Sequence, residues 1–264
     1  MRMRVLPFVV VISAAVLAGA TARPASAQCP AGATCFFGTD VGGTPIARAP
    51  NVNAAAARAA FLASLVGVGT ETFEGLAVGT AGPTLNFGVA GNATLAGGGN
   101  VDGQGPGADG FGRYPSSGQR FYEATSAAGG GTTFTVNFSD PVAAFGFYGI
   151  DIGDQLSQLS LRFTLVGGGT QTWRLPYVAS SGFGSLRDGS LLFAGFINTA
   201  GFSSVAFLGT DIDDAFAFDD LTIGSAQQVV LPPTTAVPEP GTVALLATGL
   251  LALAGAARRR RAAA

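Results

Sequence analysis

The chain has 264 residues, of which 48% are hydrophobic and 11% charged, and it contains 40 glycines and no histidine. All 14 basic residues are arginines, which excludes a Ser-His-Asp triad, a histidine metal ligand, a lysine Schiff base and a Walker lysine. Residues 28–237 contain seven arginines against fifteen acidic residues, a net charge of −8. A body with this charge has no electrostatic footprint for nucleic acid, so we exclude nucleic acid as a partner.

The N-terminus has the order of features typical of a secretory signal peptide. Two arginines precede an apolar run over residues 5–20, and Ala25-Ser26-Ala27 supplies the small residues of a cleavage site. Because the apolar run is short for a membrane-spanning helix, we predict a signal peptide over residues 1–27 that signal peptidase removes. The rest of the chain is then exported.

The two cysteines lie in a predicted N-terminal extension over residues 28–52. Five residues separate Cys29 from Cys35, and the oxidising compartment beyond the signal peptide favours a bond between them. Two thiols in a chain without histidine make a poor metal site. We therefore predict a disulfide that restrains the extension and has no catalytic role.

One short helix is predicted over residues 53–67. Asn53 is the expected N-cap, alanines fill the following turns, and Phe61, Leu62 and Leu65 cluster on one face. Gly67 is expected to end the helix.

The hydrophobic period then changes to two over a predicted domain of residues 70–225. Residues 133–138 and 159–165 alternate between apolar and polar side chains. Five further strands are predicted at residues 142–150, 170–178, 190–198, 203–209 and 215–223. Ser139-Asp140-Pro141 is predicted as a turn, and the glycine-rich residues 80–112 are predicted as long surface loops. This pattern predicts a mainly β fold, an antiparallel β-sandwich or jelly roll preceded by the short helix.

The C-terminal end combines a linker, a short motif, an apolar segment and a basic cluster. Residues 226–237 form the linker, and Pro238, Glu239 and Pro240 follow it. Residues 241–257 are uncharged and apolar, and as a helix of about 1.5 Å per residue they reach about 26 Å, near the lower limit for a transmembrane helix. The basic cluster that closes the chain should stay cytoplasmic, and it consists of Arg258, Arg259, Arg260 and Arg261.

The Pro-Glu-Pro motif, the apolar segment and the arginine cluster, in this order at the C-terminus, resemble the PEP-CTERM sorting signal of Gram-negative bacteria, over residues 238–261. The resemblance implies that an exosortase, a membrane-embedded cysteine transpeptidase, recognises Pro238, Glu239 and Pro240. The tail is then removed, and a protein held transiently in the inner membrane reaches the cell surface or the medium. The alternative is a simple single-pass anchor.

Acidic residues concentrate near both ends of the predicted β domain. Five lie around the last strand: Asp211, Asp213, Asp214, Asp219 and Asp220. Because the first and last strands of jelly rolls often pair, we expect Glu74 near Asp219 and Asp220. The segments Thr72-Phe73-Glu74-Gly75 and Phe218-Asp219-Asp220-Leu221 resemble calcium-stabilised carbohydrate-binding jelly rolls, which implies a structural calcium ion held by these three carboxylates. The alternative is a set of solvated turn residues.

These features predict a non-enzymatic protein of the cell envelope or the extracellular polysaccharide matrix. A carbohydrate-binding module acting on extracellular polysaccharide is the alternative, and a secreted hydrolase, which would need a pair of carboxylates, is the third reading. The aromatic residues that could form a platform for sugar rings are Trp173, Tyr114, Tyr122 and Tyr177. Trp173 alternates with Leu175 on one predicted strand, so burial in the core competes with that role.

Overall fold

The computed structural model describes residues 29–44, 46–103, 112–124, 132–180, 184–209 and 215–230. Within these residues the chain is mainly β, with antiparallel pairing and one α-helix, α1 (Asn53–Leu62), which confirms the predicted class. The strands are β1 (Thr34–Asp40), β2 (Thr70–Glu71), β3 (Thr84–Asn86), β4 (Asn92–Gly97), β5 (Asn100–Asp102), β6 (Phe121–Ala124), β7 (Thr132–Ile150), β8 (Ser160–Leu165), β9 (Thr170–Arg174), β10 (Leu191–Leu208) and β11 (Phe216–Gly224).

The strands form one continuous hydrogen-bonded network, whose main path has the order β5-β6-β11-β7-β10-β8-β9. Two long strands make it continuous, because β7 has 19 residues and β10 has 18. The second half of β7 pairs with β11 and with the first half of β10. The first half of β7 pairs with β4 and with the second half of β10. Each long strand therefore runs through both halves of the network, where the sequence predicted separate short strands.

Phenylalanine rings from the two halves of the network meet in the main core. Phe134, in the first half of β7, lies 5.4 Å from Phe218 of β11 between ring centroids. Phe163 of β8 stacks on Phe196, in the first half of β10, at 3.7 Å. All four side chains are at most 1% exposed. The halves bury aromatic surface against each other, as the layers of a sandwich do.

Helix α1 is capped by a residue from a neighbouring strand. Asp40, at the end of β1, accepts hydrogen bonds from the backbone N–H groups of Val52, Asn53 and Ala54, at 3.1, 3.0 and 2.9 Å. The predicted N-cap role of Asn53 is wrong, because Val52 occupies that position and the Asn53 side-chain amide donates to Asp40. The helix ends at Leu62 and not at residue 67, because i→i+3 hydrogen bonds tighten the backbone there.

The helix packs on the strands through Phe61, which is fully buried. Gly146 of β7 and Gly195 of β10 face each other in register beneath this ring. A Cβ atom built on either glycine would lie 2.7 Å from a ring carbon of Phe61. Only glycine at both positions leaves room for the ring, which also lies 5.6 Å from the ring of Phe193.

The N-terminal extension is part of the strand network. Cys29 and Cys35 are joined by a disulfide, with their Cα atoms 5.7 Å apart. β1 pairs with β10 over its whole length, from Thr34 to Asp40. A strand therefore precedes the helix, although the sequence predicted the helix first. The β1 sequence TCFFGTD lacks the strict alternation that marks a strand.

Two segments predicted as irregular are strands. Residues 80–112 were expected to be surface loops, and they contain β3, β4 and β5. Ser139-Asp140-Pro141, predicted as a turn, lies inside β7. Pro141 has no partner in the described pairing of β7, since the register with β10 shifts between Phe202 and Ser204. The missing N–H of proline therefore interrupts no pair.

Candidate functional site

Glu74, Asp219 and Asp220 all bind the same loop, residues 116–120, and we call these three residues the carboxylate clamp. β2 pairs with β11, which places the turn that carries Glu74 beside the middle of β11. Oε1 of Glu74 accepts hydrogen bonds from the backbone N–H groups of Gln119 and Arg120, at 2.7 and 2.6 Å. This carboxylate therefore holds the far end of the loop.

The two aspartates of the clamp hold the near end of the loop. Oδ2 of Asp219 accepts hydrogen bonds from the N–H and hydroxyl groups of Ser116, at 2.7 and 2.8 Å, and from the N–H of Ser117 at 3.2 Å. Oδ1 of Asp220 accepts a hydrogen bond from the hydroxyl of Ser117 at 2.7 Å. Its other carboxylate oxygen lies 3.8 Å from the guanidinium of Arg58 on α1. Hydrogen bonds to charged acceptors are stronger than neutral ones, so the loop is firmly held.

A bulge in β11 lets two consecutive side chains reach one loop. Adjacent residues of a regular strand point to opposite faces. Here Asp220 has a left-handed backbone with φ of 49°, and the register with β7 shifts between Asp219 and Thr222. Both carboxylates can therefore contact residues 116–117.

Asp219 is the clamp residue whose ionisation is most perturbed. Its side chain is 0% exposed. Burial raises the pKa of Asp219 to about 7, and the charge of Asp220 contributes to the increase. Hydrogen bonds from Ser116, Asp220 and Ser117 act in the opposite direction. A carboxyl this deeply buried is not exposed to a polymeric substrate, whereas the hydrolase hypothesis needs a pair of accessible carboxylates.

Calcium binding at the carboxylate clamp stays a prediction of the sequence. Among the described residues, no group of three or more acidic, cysteine or histidine side chains is arranged to hold a metal ion. The clamp oxygens accept hydrogen bonds from the loop, so the residues as arranged do not fit the ion. If calcium binds, a chelator should lower the melting temperature and added calcium should restore it. A melting curve indifferent to both would refute the prediction.

The aromatic residues considered as a sugar platform lie in the core. Trp173 is 1% exposed, and its ring centroid lies 6.5 Å from that of Phe37 and 6.3 Å from that of Phe196. The other three members of the platform are also buried: Tyr114, Tyr122 and Tyr177. Of the two interpretations, the structure shows burial, and none of the four rings is exposed as a platform for sugar rings.

A second group of buried acidic residues, which sequence reasoning missed, lies in the loops after β7 and before β10. Its members are Asp151, Asp154 and Asp188. Oδ1 of Asp151 accepts a hydrogen bond from the N–H of Gly189 at 2.8 Å, and the N–H of Gly184 donates to Asp188. Burial raises the pKa of Asp188, and the charge of Asp154 contributes to the increase. These acids join two loops that are distant in sequence, so no local spacing marks them.

A cavity of about 220 Å³ lies beside the clamped loop, and we call it the Arg48 cavity. Its lining residues are Arg48, Gly103, Pro115, Gly118 and Gln119. The Arg48 guanidinium carbon lies 5.3 Å from the centroid of the Tyr114 ring, within the range of a cation–π contact. Its residues come from three separate segments, so no sequence motif marks this cavity.

Several predicted features lie outside the described residues and stay predictions. They are the signal peptide over residues 1–27, the acidic residues Asp211, Asp213 and Asp214, the helix over residues 241–257, the recognition of Pro238, Glu239 and Pro240 by an exosortase, and the anchoring role of Arg258, Arg259, Arg260 and Arg261. In the part of the chain that the structure describes, no helix is both long and apolar enough to span a bilayer.

Solved structures similar to the body include carbohydrate-binding modules. One is the C-terminal family 22 carbohydrate-binding module of Clostridium thermocellum Xyn10B, at 15% identity and a TM-score of 0.36, covering 62% of this chain and 97% of the module. Another is the CBM22-1 xylan-binding domain of Paenibacillus barcinonensis Xyn10C, at 15% identity and a TM-score of 0.32, covering 58% of this chain and 98% of the domain. No curated protein matches the chain.

The C-terminal segment matches a family profile described as the PEP-CTERM protein-sorting motif. The match covers residues 236–261, which include Pro-Glu-Pro, the apolar segment and the arginine cluster. The chain therefore carries a PEP-CTERM sorting motif, and this motif indicates an exported protein.

Proposed function

We propose that this chain is an exported, non-enzymatic protein of the cell envelope or extracellular matrix, processed at its C-terminus by an exosortase. The observation that carries the proposal is the match of residues 236–261 to the PEP-CTERM sorting motif. The body upstream has neither histidine nor lysine, so the commonest general bases and amine nucleophiles are absent from its sequence.

The order of the two terminal signals indicates how the chain is exported and then processed. The signal peptide starts export, and the apolar residues 241–257 then stop in the inner membrane because the arginines behind them stay in the cytoplasm. Pro238 and Pro240 lock their own φ angles and disfavour helix in the residue before each of them. Both restraints disfavour helix at the motif, and we expect a membrane-embedded transpeptidase to bind Glu239 at the outer face of the membrane.

The test is replacement of Pro238, Glu239 and Pro240 by alanine in the native host. We expect a longer product that stays in the membrane fraction, while the wild type is trimmed and found at the surface or in the medium. The matched control replaces Pro232 and Pro233, two linker prolines outside the motif, and should be processed normally. Trimming of the motif variant like the wild type would overturn the proposal.

Binding of extracellular polysaccharide is the second candidate function. The observation that favours it is the Arg48 cavity, which places a cation, an amide side chain and two glycines around a space of about 220 Å³. Affinity electrophoresis of the protein through gels that contain the host's own polysaccharide tests this function. Unchanged mobility in every such gel would remove it.

A further inference from the structure

Arg48 is a positioned cation without an acidic partner among the described residues. Its side chain is exposed and, among the described residues, contacts the ring of Tyr114. Two hydrogen bonds fix the position of the Tyr114 ring. Its hydroxyl donates a hydrogen bond to the carbonyl of Gly189 at 3.0 Å and accepts one from the N–H of Ala49 at 2.9 Å. The guanidinium is therefore held over a rigid ring with its donor fork open to a ligand.

The opposite wall of the cavity is equally rigid. Gly118 and Gln119 belong to the loop that the carboxylate clamp holds from both ends. The backbone N–H of Gln119 is used by Glu74, whereas its side-chain amide makes no hydrogen bond within the described residues. A rigid wall with a free amide can bind hydroxyl groups at low entropic cost.

We propose that the Arg48 cavity binds the carboxylate of an acidic sugar residue, with the guanidinium of Arg48 as the anion-binding group. This inference rests on polysaccharide binding, the second candidate function. An arginine fork matches a carboxylate bidentately, and Gln119 is placed to contact ring hydroxyls.

The size and charge of the protein limit the ligand further. A volume of about 220 Å³ is below the range of about 300–1,000 Å³ for drug-sized ligands, so it suits one sugar residue. Because residues 28–237 carry a net charge of −8, the attraction for an acid group is confined to the neighbourhood of Arg48.

The test is calorimetric titration of the full chain, kept in mild detergent, with tri-galacturonic acid, neutral galactotriose, inorganic sulfate and inorganic phosphate. We expect binding of the uronate and none of galactotriose. Equal binding of galactotriose would overturn the acidic-sugar assignment but leave polysaccharide binding standing. Binding of sulfate or phosphate without the uronate would overturn it as well, and so would binding of none of the four.

The variants locate the site on the protein. Arg48→Ala should weaken uronate binding about tenfold or more, because a hydrogen-bonded charge pair is lost. The matched control is Arg162→Ala, which removes an exposed arginine from β8 and should leave the affinity unchanged. Equal losses in both variants would reduce the effect to overall charge and refute the site. Melting curves of both variants verify that the fold is intact. Both variants keep residues 236–261 unchanged, so we expect their tails to be processed like that of the wild type.

Discussion

Asp219 is a buried carboxyl group whose ionisation opposes folding. Burial and the neighbouring Asp220 raise its pKa from 3.8 to about 7. Between about pH 4 and pH 7 the folded chain therefore holds a proton that the unfolded chain has released. Stability falls as the pH rises through this window and is regained on acidification, by a total on the order of a few kcal/mol.

Asp219→Asn should remove this part of the pH dependence. Asparagine keeps the shape and one acceptor oxygen but does not ionise, so the free energy of unfolding should vary less between pH 4.5 and pH 8. Urea unfolding at a series of pH values measures the difference. Asp102→Asn, on β5, is the control and should leave the wild-type slope. The same slope in Asp219→Asn and the wild type would show that another group causes it.

The contact of α1 with the strands depends on two glycines. Gly146→Ala would bring a methyl group to 2.7 Å from the Phe61 ring, and the helix cannot move away without uncovering that ring. We expect a loss of about 1–3 kcal/mol in the free energy of unfolding, the usual cost of overpacking a core. Gly167→Ala is the matched control, since a Cβ atom there meets nothing within 4 Å. Equal effects of the two substitutions in urea unfolding would contradict the packing role.

The disulfide should stabilise β1 locally without being required for it. Cys29 and Cys35 close a short loop, so the loss of both as serine should cost about 2 kcal/mol in the unfolding free energy. β1 keeps its pairing with β10 from Thr34 to Asp40, so its amides should stay protected from hydrogen exchange. Reduction of the wild type should reproduce the loss and should not affect the variant. Loss of protection along all of β1 would mean that the disulfide holds the strand in place.

Strands with a regular alternation and clear turn signals could be predicted from the sequence. The alternating segment at 159–165 corresponds to β8 (Ser160–Leu165), and Gly167-Gly168-Gly169 separates it from β9. Capping and strand continuity could not be predicted, since they depend on distant residues. Asp40 caps α1 from another strand, and β7 continues through Pro141 because its partner strand shifts register there.

The candidate site could be predicted only in part, because most of its contacts also join residues that are distant in the sequence. Pairing of the first and last strands of the domain explains why Glu74 lies near Asp219, as expected. The loop that both residues bind is not visible in the sequence, because its contacts are about 45 and 103 positions away. Arg48 lines the cavity together with residues that are distant in the sequence, so no sequence motif identifies it as a site residue.

At the scale of the whole molecule, we expect the two ends to decide where the protein goes. The described residues from Cys29 to Val229 form one compact unit, and the sorting motif follows later in the sequence. Intact mass analysis of protein from the envelope and the medium should give a mature chain that begins at Gln28. The same spectrum should show a mass lower by two hydrogens for the disulfide and no residues from 241 onward.

Charge at the very end of the chain should control this processing. If Arg258, Arg259, Arg260 and Arg261 are replaced by alanine, nothing holds the short apolar segment in the membrane, and it should pass through with the tail uncut. The product should then be longer than the wild type and soluble in the periplasm, whereas the Pro-Glu-Pro variant is longer and stays in the membrane. Replacement of the four arginines by lysine keeps the charge and should restore trimming. Failure of the lysine variant would mean that the arginine side chains are themselves recognised, and normal trimming of the alanine variant would contradict the stop-transfer role of the cluster.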